Sequence, residues 1–204
     1  MDNTGVSISD GDIISRSLDQ GAVFAEIYDR HERAVYRYAV SRLGATHADD
    51  VTSETFLVAF DRRESFSGSG DARPWLLGIA TTLMKRHVRL EVKAWKGLLA
   101  SDLGQISIDE FDVIDQRLDA RTITKRMGKA LARLPAGDRD VLLLHTYGDL
   151  SYEAIGDALS IPVGTVRSRL NRARRKLRTA IDPAAGLDTK EDHGRDLAPS
   201  PSTK

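Results

Sequence analysis

The chain has 204 residues, no cysteine, and 30 Lys and Arg against 30 Asp and Glu, so its formal net charge is zero. That length allows one or two small domains, and 41% hydrophobic with 29% charged residues is typical of a globular protein. The lack of cysteine excludes disulfides, thiolate metal sites and a cysteine nucleophile, and it suits a reducing compartment. No apolar run approaches a membrane span and the first residues do not form a signal peptide, so we expect a cytoplasmic protein without membrane insertion.

Strand signals are scarce, and apolar residues recur at helical spacing through the first half of the chain, which predicts an all-α fold. Residues 1–9 are expected to be a disordered tail. The predicted helices run from Ser9 or Asp10 to Leu18, from about Val23 to Leu43 before Gly44, from about His47 to Phe60, and from Pro74 onward. Asp49, Asp50 and Glu54 fall in the early turns of the third helix, where capping and solvation alone would explain them.

The segment Phe66–Arg73 has the composition of a flexible loop and leads into the fourth helix. The far end of that helix is basic, and Lys85, Arg89, Lys93 and Lys96 can share one helical face. Such a face is often simply solvated. Beside an aromatic residue and a Gly-Ser loop it also suits single-stranded nucleic acid, which binds cations and aromatic platforms.

Residues 97–112 lose the helical period and form the predicted linker between two domains, 10–96 and 113–181. Six acids lie between Asp102 and Asp119. Such a segment can mimic nucleic acid or can serve as a solubilising tether, and composition does not choose between them. Residues 182–204 are polar and contain proline, and we expect them to be disordered.

The segment Ser151–Arg178 predicts a helix-turn-helix. Ser151 is a good N-cap, Pro162 suits the start of a second helix, and every charged residue from Arg167 to Arg178 is positive. Arg and Asn in such a helix can read base edges in the major groove, while the remaining cations can meet phosphates. The alternative interpretation is a solvated amphipathic helix with a basic face.

Signals of catalysis are missing. The five histidines are scattered without metal-ligand spacing, and Gly68–Gly70 follows no strand and carries no phosphate-loop lysine. We therefore expect no enzyme activity, no metal and no cofactor.

Longer strings of residues carry a resemblance to a known family. LSYEAIGDALSIPVGTVRSRLNRARRKLR resembles region 4 of bacterial sigma factors. FAEIYDRH, VYRYAVSRLG, ADDVTSETF, LVAF and RPWLLGIA resemble region 2 of the same family. The two regions span about residues 10–180 with one short linker between them, which is similar to the extracytoplasmic-function (ECF) group of sigma-70 factors.

The resemblance implies two small helical domains joined by an acidic linker, and a dissociable subunit of RNA polymerase that recognises and opens promoters. The implied partners are promoter DNA and core polymerase, through its β′ clamp and β flap, with the factor joining the nucleoid when bound to polymerase. Many members of the group are also held inactive by an anti-sigma factor. The acidic linker resembles the segment that threads through polymerase near the RNA path.

Family motifs also imply roles for particular residues. The resemblance implies that the clamp is bound by Asp50, Ser53, Glu54, Thr55 and Phe56. It implies that the −10 element is captured and melted by Phe66, Arg73, Trp75, Thr82, Lys85, Arg86 and Arg89. It implies that the −35 element is bound by Arg167, Ser168, Asn171, Arg172, Arg174 and Arg175.

Three positions depart from the family pattern. Relatives often carry glutamine at the position of Ser53, asparagine at Thr82 and glycine at Ser160. If the turn requires a positive φ at Ser160, serine costs about 1 kcal/mol there.

A second hypothesis is a stand-alone helix-turn-helix transcriptional regulator that binds duplex DNA without being a polymerase subunit. Such a regulator would carry a phosphorylatable or ligand-binding α/β domain in its N-terminal half. Residues 10–95 show no alternation of strands and helices, which argues against this hypothesis.

Overall fold

The structure is a computed structural model that describes residues 8–68, 70–87 and 126–181. All regular structure in these three ranges is helical, as the sequence predicted. Outside the described residues lie the acidic linker (97–112), most of the N-terminal tail (1–7), the C-terminal tail (182–204) and the first residues of the predicted second domain (113–125).

The N-terminal domain contains four α-helices, and their bounds agree closely with the prediction. They are α1 (Asp10–Asp19), α2 (Ala25–Leu43), α3 (Ala45–Asp61) and α4 (Arg73–Met84). Three short 3₁₀ turns complete the domain: Gly21–Phe24, Arg63–Ser65 and Lys85–His87. Val23 and Phe24, expected at the start of the long helix, form the 3₁₀ turn that leads into α2 instead.

Helix ends in this domain follow from local sequence. Ser9 caps α1 by accepting a hydrogen bond from the Asp12 amide, 3.2 Å away. Gly44 separates α2 from α3 at φ 78°, a backbone conformation that glycine adopts without steric cost. Pro74 lies in the first turn of α4, where its missing amide hydrogen is not needed.

The C-terminal domain contains the predicted helix-turn-helix. Its described helices are α5 (residues 126–133), α6 (Ala136–Thr146), α7 (Tyr152–Leu159) and α8 (Val163–Ile181). Ser151 caps α7 by accepting from the Ala154 amide at 3.1 Å. Ser160 ends α7 in the left-handed conformation, with φ 52° and ψ 48°. The turn therefore requires the positive φ anticipated for this position, and serine adopts it at a cost of about 1 kcal/mol.

The two domains pack against each other, and their buried apolar side chains form one continuous cluster. The main contact between them joins α4 to α7. Gly78 of α4 lies directly under the backbone of α7, where an added Cβ would be 2.4 Å from the carbonyl oxygen of Ala158. A glycine is therefore required for the two helices to approach this closely.

A buried polar network crosses the same interface. The Arg42 guanidinium of α2 lies 2.9 Å from an Asp140 carboxylate oxygen of α6, with the two side chains 2% and 5% exposed. Arg42 also donates to the Tyr38 hydroxyl at 3.0 Å, and Tyr38 lies 2.8 Å from the Thr81 hydroxyl. Burial raises the pKa of Tyr38, so this hydroxyl remains protonated. This buried ion pair holds the domains in one register.

The first helix is attached to the rest of its domain through Asp10. Its carboxylate accepts from Arg30 at 2.9 Å, from the Ala72 amide at 2.9 Å and lies 2.6 Å from His31 Nε2. Burial by itself raises the pKa of Asp10. The hydrogen bonds from Ala72, His31 and Arg30 outweigh burial, so the pKa lies below its usual value.

We expect Asp10→Asn to lower the free energy of unfolding at pH 7 by about 1–3 kcal/mol, the usual cost of removing a hydrogen-bonded buried charge. Because the pKa of Asp10 is lowered on folding, its stabilisation is complete above the ordinary aspartate pKa of about 3.9 and is lost as the pH falls through the folded-state value. The difference between the thermal melts of the variant and the wild type should therefore be smaller at a pH below about 3.9 than at pH 7. Asp29→Asn, an exposed acid on α2, is the control and should change neither melt. An equal deficit for Asp10→Asn at both pH values would contradict this account.

Candidate nucleic-acid interface

Helix α8 presents a polar face to solvent. Val166, Leu170 and Ala173 are buried on its inner side. The residues on the opposite side are exposed and lie at helical spacing: Gly164, Ser168, Asn171 and Arg175. An added Cβ at Gly164 would meet nothing within 4 Å, so the start of this face is smooth and open. The arrangement suits insertion of the N-terminal half of α8 into a major groove.

Four of the predicted −35 residues flank or share this face, all of them exposed: Arg167, Ser168, Asn171 and Arg175. Arg174 is also exposed, but it lies at the edge of the face. Ser168 donates to the Thr165 carbonyl at 3.0 Å, which leaves its oxygen able to accept a further hydrogen bond.

Arg172 differs from the sequence-based expectation of a free base reader. Its guanidinium donates two hydrogen bonds to Asp138 of α6, at 2.7 and 2.6 Å. The bond from Arg172 lowers the pKa of Asp138, while the same pair raises the pKa of Arg172. Asp138 is 2% exposed, so the pair fixes α8 against the start of α6. Arg169 lies beside it, over Gly137.

The loop before α4 and one face of α4 form a groove of about 1220 Å³. Phe66 and Trp75 stand together in it, with their ring centroids 5.1 Å apart. Trp75, Gly78, Thr82 and Arg86 follow one another at three- and four-residue steps along the same wall. Aromatic rings beside cations in a groove of this kind can stack and hold an unpaired base.

Other predicted −10 residues have specific surroundings. Arg73 is paired with Asp71 at 3.2 Å. Lys85 and Arg86 are exposed, and Arg86 forms an ion pair with Glu54 of α3. Arg89 and the remainder of the predicted basic face lie outside the described residues.

The outward face of α3 contains only part of the predicted polymerase contacts. Asp50 and Ser53 are exposed, and Glu54 is partly exposed beside Arg86. Thr55 and Phe56 are 0% and 6% exposed, so in this structure they lie beneath the outward face of α3 and not on it. Thr55 donates to the Val51 carbonyl, and Phe56 packs against Tyr28 with ring centroids 4.8 Å apart.

Several functional candidates were missed from the sequence. Leu57 is 67% exposed one turn after Ser53, which makes it the apolar centre of the outward face of α3. Arg42 had a detectable signal, because it falls in register with Val35, Tyr38 and Ala39 on the apolar side of α2. Its partner Asp140 had none, since pairing across two domains leaves no local pattern.

A basic concavity of about 380 Å³ lies between α5 and the end of α8. Its cationic lining residues are Arg126, Lys129, Arg133 and Lys176. This surface leaves no local pattern in the sequence, because its cations come from two helices about fifty positions apart.

Metal-ligating groups come together at one place among the described residues. Asp10, His31 and Asp71 each bring a ligand atom within 4.8 Å of the others. The Asp10 oxygens already accept hydrogen bonds from Arg30 and from the Ala72 amide. The positive charge of Arg30 therefore balances the Asp10 carboxylate without a metal ion. The cluster is therefore explained as the attachment of α1.

Within the part of the chain described here, no helix combines the length and the apolar character needed to cross a bilayer. Comparisons with known proteins identify both halves. The sequence model for "Sigma-70 region 2" matches residues 27–93, and that for "Sigma-70, region 4" matches residues 124–177.

Curated relatives extend the match over most of the chain. The ECF RNA polymerase sigma factor SigW of Bacillus subtilis is 31% identical over 173 residues, which is 80% of this chain and 90% of SigW. The RNA polymerase sigma factor HrpL of Pseudomonas syringae pv. syringae is 31% identical over 146 residues, or 69% and 77% of the two chains.

Solved structures show the same fold. CnrH, determined in complex with the cytosolic domain of CnrY, matches with a TM-score of 0.61 and 23% identity over 86% of this chain and 98% of CnrH. The sigma factor RpoE of Bartonella quintana, determined in complex with the anti-sigma factor NepR, matches with a TM-score of 0.52 and 21% identity over 78% and 96% of the two chains. The helix-turn-helix, the α4 groove and these matches together show that the chain belongs to the ECF group of RNA polymerase sigma factors.

Proposed function

We propose that this sigma factor reads two promoter elements with two separate surfaces while α3 attaches it to core polymerase. The observation that carries the proposal is the outer face of α8, where Ser168, Asn171 and Arg175 are exposed at helical spacing. We expect the chain to act in the cytoplasm without catalysing a reaction itself. Its effect on transcription comes from positioning polymerase.

At the −35 element, α8 enters the major groove with its N-terminal half. Asn171 can pair with adenine and Arg175 or Arg167 with guanine, each through two hydrogen bonds to a base edge. Arg172 acts differently, because Asp138 holds its guanidinium beside the groove as a fixed charge. The basic concavity between α5 and α8 adds sequence-independent attraction for phosphates.

At the −10 element, the groove beside α4 receives an unstacked base. Phe66 and Trp75 offer ring faces, and Thr82 stands exposed further along the same wall. Because Thr82 donates to the Gly78 carbonyl at 3.1 Å, it offers mainly an acceptor to a base. Taking a base out of the stack costs a few kcal/mol, which stacking on these rings offsets.

The clamp of core polymerase binds the outward face of α3. Asp50, Ser53 and Leu57 lie on one side of that helix. They offer the clamp a charged, a polar and an apolar contact, respectively. Thr55 and Phe56 support this face from inside the domain. Since RpoE of Bartonella quintana was solved with the anti-sigma factor NepR bound, an anti-sigma protein is a further proposed partner for this chain.

Run-off transcription with purified core polymerase tests the proposed function directly. Adding the full chain should produce defined transcripts from genomic promoter fragments, and core polymerase alone should not. If the chain fails to bind core polymerase, the proposal fails even when the chain binds DNA.

We expect Asn171→Ala to reduce discrimination between a −35 duplex and a scrambled duplex by about 1–3 kcal/mol, as loss of one base contact does. Fluorescence anisotropy at several salt concentrations measures this. The comparison variant is Arg178→Ala, at the far end of α8, which should weaken both duplexes equally and reduce the salt slope by about 1. Equal weakening of both duplexes by Asn171→Ala would contradict a base contact.

We expect Leu57→Glu to weaken binding to core polymerase by about tenfold or more, which corresponds to at least about 1.4 kcal/mol. Its side chain is 67% exposed, so the fold should be unaffected. Leu18→Glu is the matched control, because Leu18 is 45% exposed on α1 and lies outside the proposed surface. The measurement is a titration of labelled chain with core polymerase. The same loss in both variants would show that α3 is not the attachment site.

A further inference from the structure

Asp138 lies outside the helix-turn-helix and still orients one of its side chains. It is in the first turn of α6, 34 positions before Arg172, and its side chain is 2% exposed. Its two carboxylate oxygens accept hydrogen bonds from Nε and from Nη2 of Arg172, at 2.7 and 2.6 Å. The guanidinium is therefore held along one side by a carboxylate that burial keeps in place.

This hydrogen-bond pattern leaves the end of the Arg172 guanidinium available. A guanidinium carries more N–H groups than one carboxylate accepts, and the pair with Asp138 uses the one on Nε and one on Nη2. The other N–H of Nη2 and its neighbour on Nη1 point the same way and form a second fork. The Arg172 side chain is 44% exposed, so Asp138 does not cover it completely. Such a fork matches O6 and N7 of guanine, two adjacent acceptors in the major groove.

Arg172 borders the face of α8 that we propose for DNA. It follows Ser168 by one helical turn and precedes Arg175 by three positions, and all three residues are exposed. Residues at these steps lie along one side of a helix. Arg172 is therefore at the edge of that face nearest α6, and its free fork can enter the same groove as Asn171.

The pair with Asp138 adds orientation more than attachment. Val166, Leu170 and Ala173 already fix the inner side of α8 by burial. An exposed arginine samples many rotamers, and ordering it on a base costs conformational entropy. Asp138 orders the guanidinium before DNA binds, because the acceptor is buried and both of its oxygens are used.

The charge of the pair favours a base over a phosphate as the ligand of Arg172. The hydrogen bond from Arg172 holds the pKa of Asp138 below its usual value, so the carboxylate stays ionised and balances the arginine. Attraction to phosphates comes from unbalanced cations, which release counterions from the DNA. A balanced guanidinium contributes little to that attraction, and what it offers instead is the fixed direction of its N–H groups.

We propose that Asp138 is a positioning residue for promoter recognition, which directs the free fork of Arg172 toward one guanine of the −35 element. This inference rests on the proposed function. It adds a specificity-determining residue on α6, and it names the base that Arg172 reads.

Two variants separate orientation from charge. Asp138→Asn keeps the size of the side chain, but it removes the balancing charge and replaces one acceptor by an amide donor, so the guanidinium loses its fixed direction. Arg172→Lys keeps the positive charge beside Asp138 and has no fork. Glu153→Gln is the control for charge, because it removes an exposed acid of α7. Thermal melts of the three variants check that the fold is retained.

The measurement uses polymerase holoenzyme assembled with the full chain. A promoter mapped by run-off transcription supplies the DNA, and each base pair of its −35 element is replaced in turn. Competition binding at several salt concentrations gives the discrimination at each base pair and the slope of affinity against salt. Asn171→Ala, measured on the same DNA, shows independently whether α8 reads this element.

We expect Arg172→Lys and Asp138→Asn to lose about tenfold discrimination at one and the same base pair, where the wild type prefers guanine. Asp138→Asn should also bind duplexes without that guanine more tightly at low salt and steepen the salt slope by about one, because Arg172 becomes an unbalanced cation. Glu153→Gln should leave discrimination at that base pair unchanged. A purely structural role of Asp138 does not combine weaker discrimination with stronger general binding.

Other outcomes overturn the proposal. Equal weakening of every duplex by Arg172→Lys would show a phosphate contact, and unchanged discrimination in both variants would show that Arg172 reads no base. Loss of discrimination in Arg172→Lys alone would show that Asp138 does not position it. Equal loss at every −35 base pair in Asp138→Asn would show a loosened α8. Each result can occur while run-off transcription succeeds and Asn171→Ala loses discrimination, so failure of this inference is distinct from failure of the proposed function.

Discussion

The contact between Arg42 and Asp140 determines how the two halves of this protein meet. Each charge is buried among apolar side chains, where it would be costly alone, and each lies on a different domain. Tyr38 and Thr81 complete the network, so α2, α4 and α6 keep one relative position. The groove beside α4 and its opposite wall depend on that position. One polar contact therefore helps to set the shape of the groove that we propose as the −10 surface.

The helix-turn-helix also contains a buried ion-pair partner beside exposed polar residues. Asp138 is buried and fixes Arg172, whereas Ser168, Asn171 and Arg175 are exposed on the face that we propose for DNA. On α3, Thr55 and Phe56 support the domain from inside while Asp50, Ser53 and Leu57 face outward. In both helices, a family motif places buried residues next to exposed ones, and only the exposed ones are proposed as contacts.

Most of the fold could be predicted from the sequence because its signals are local. Ser9 and Ser151 mark helix starts through hydrogen bonds within the first turn. Gly44 marks a helix end through its backbone conformation, and Pro74 marks a helix start through its missing amide hydrogen. These ends are where they were expected. The site was predicted less completely. Exposure of Leu57 and burial of Phe56 depend on how α3 is turned against α2, and the pairing of Arg172 with Asp138 joins residues 34 positions apart. Such contacts follow from tertiary packing and leave no pattern at helical spacing.

The central proposal is that the outer face of α8 binds the −35 element and the groove beside α4 receives an unstacked −10 base, while α3 attaches the chain to core polymerase. Footprinting of a polymerase–promoter complex with and without the chain tests this most directly, with protection by the complex and permanganate reactivity of unpaired thymines as the two measurements. We predict protection of the −35 element together with reactive thymines in the −10 element, and only when the chain is present. Protection without reactive thymines, or the same pattern with core polymerase alone, would contradict the proposal.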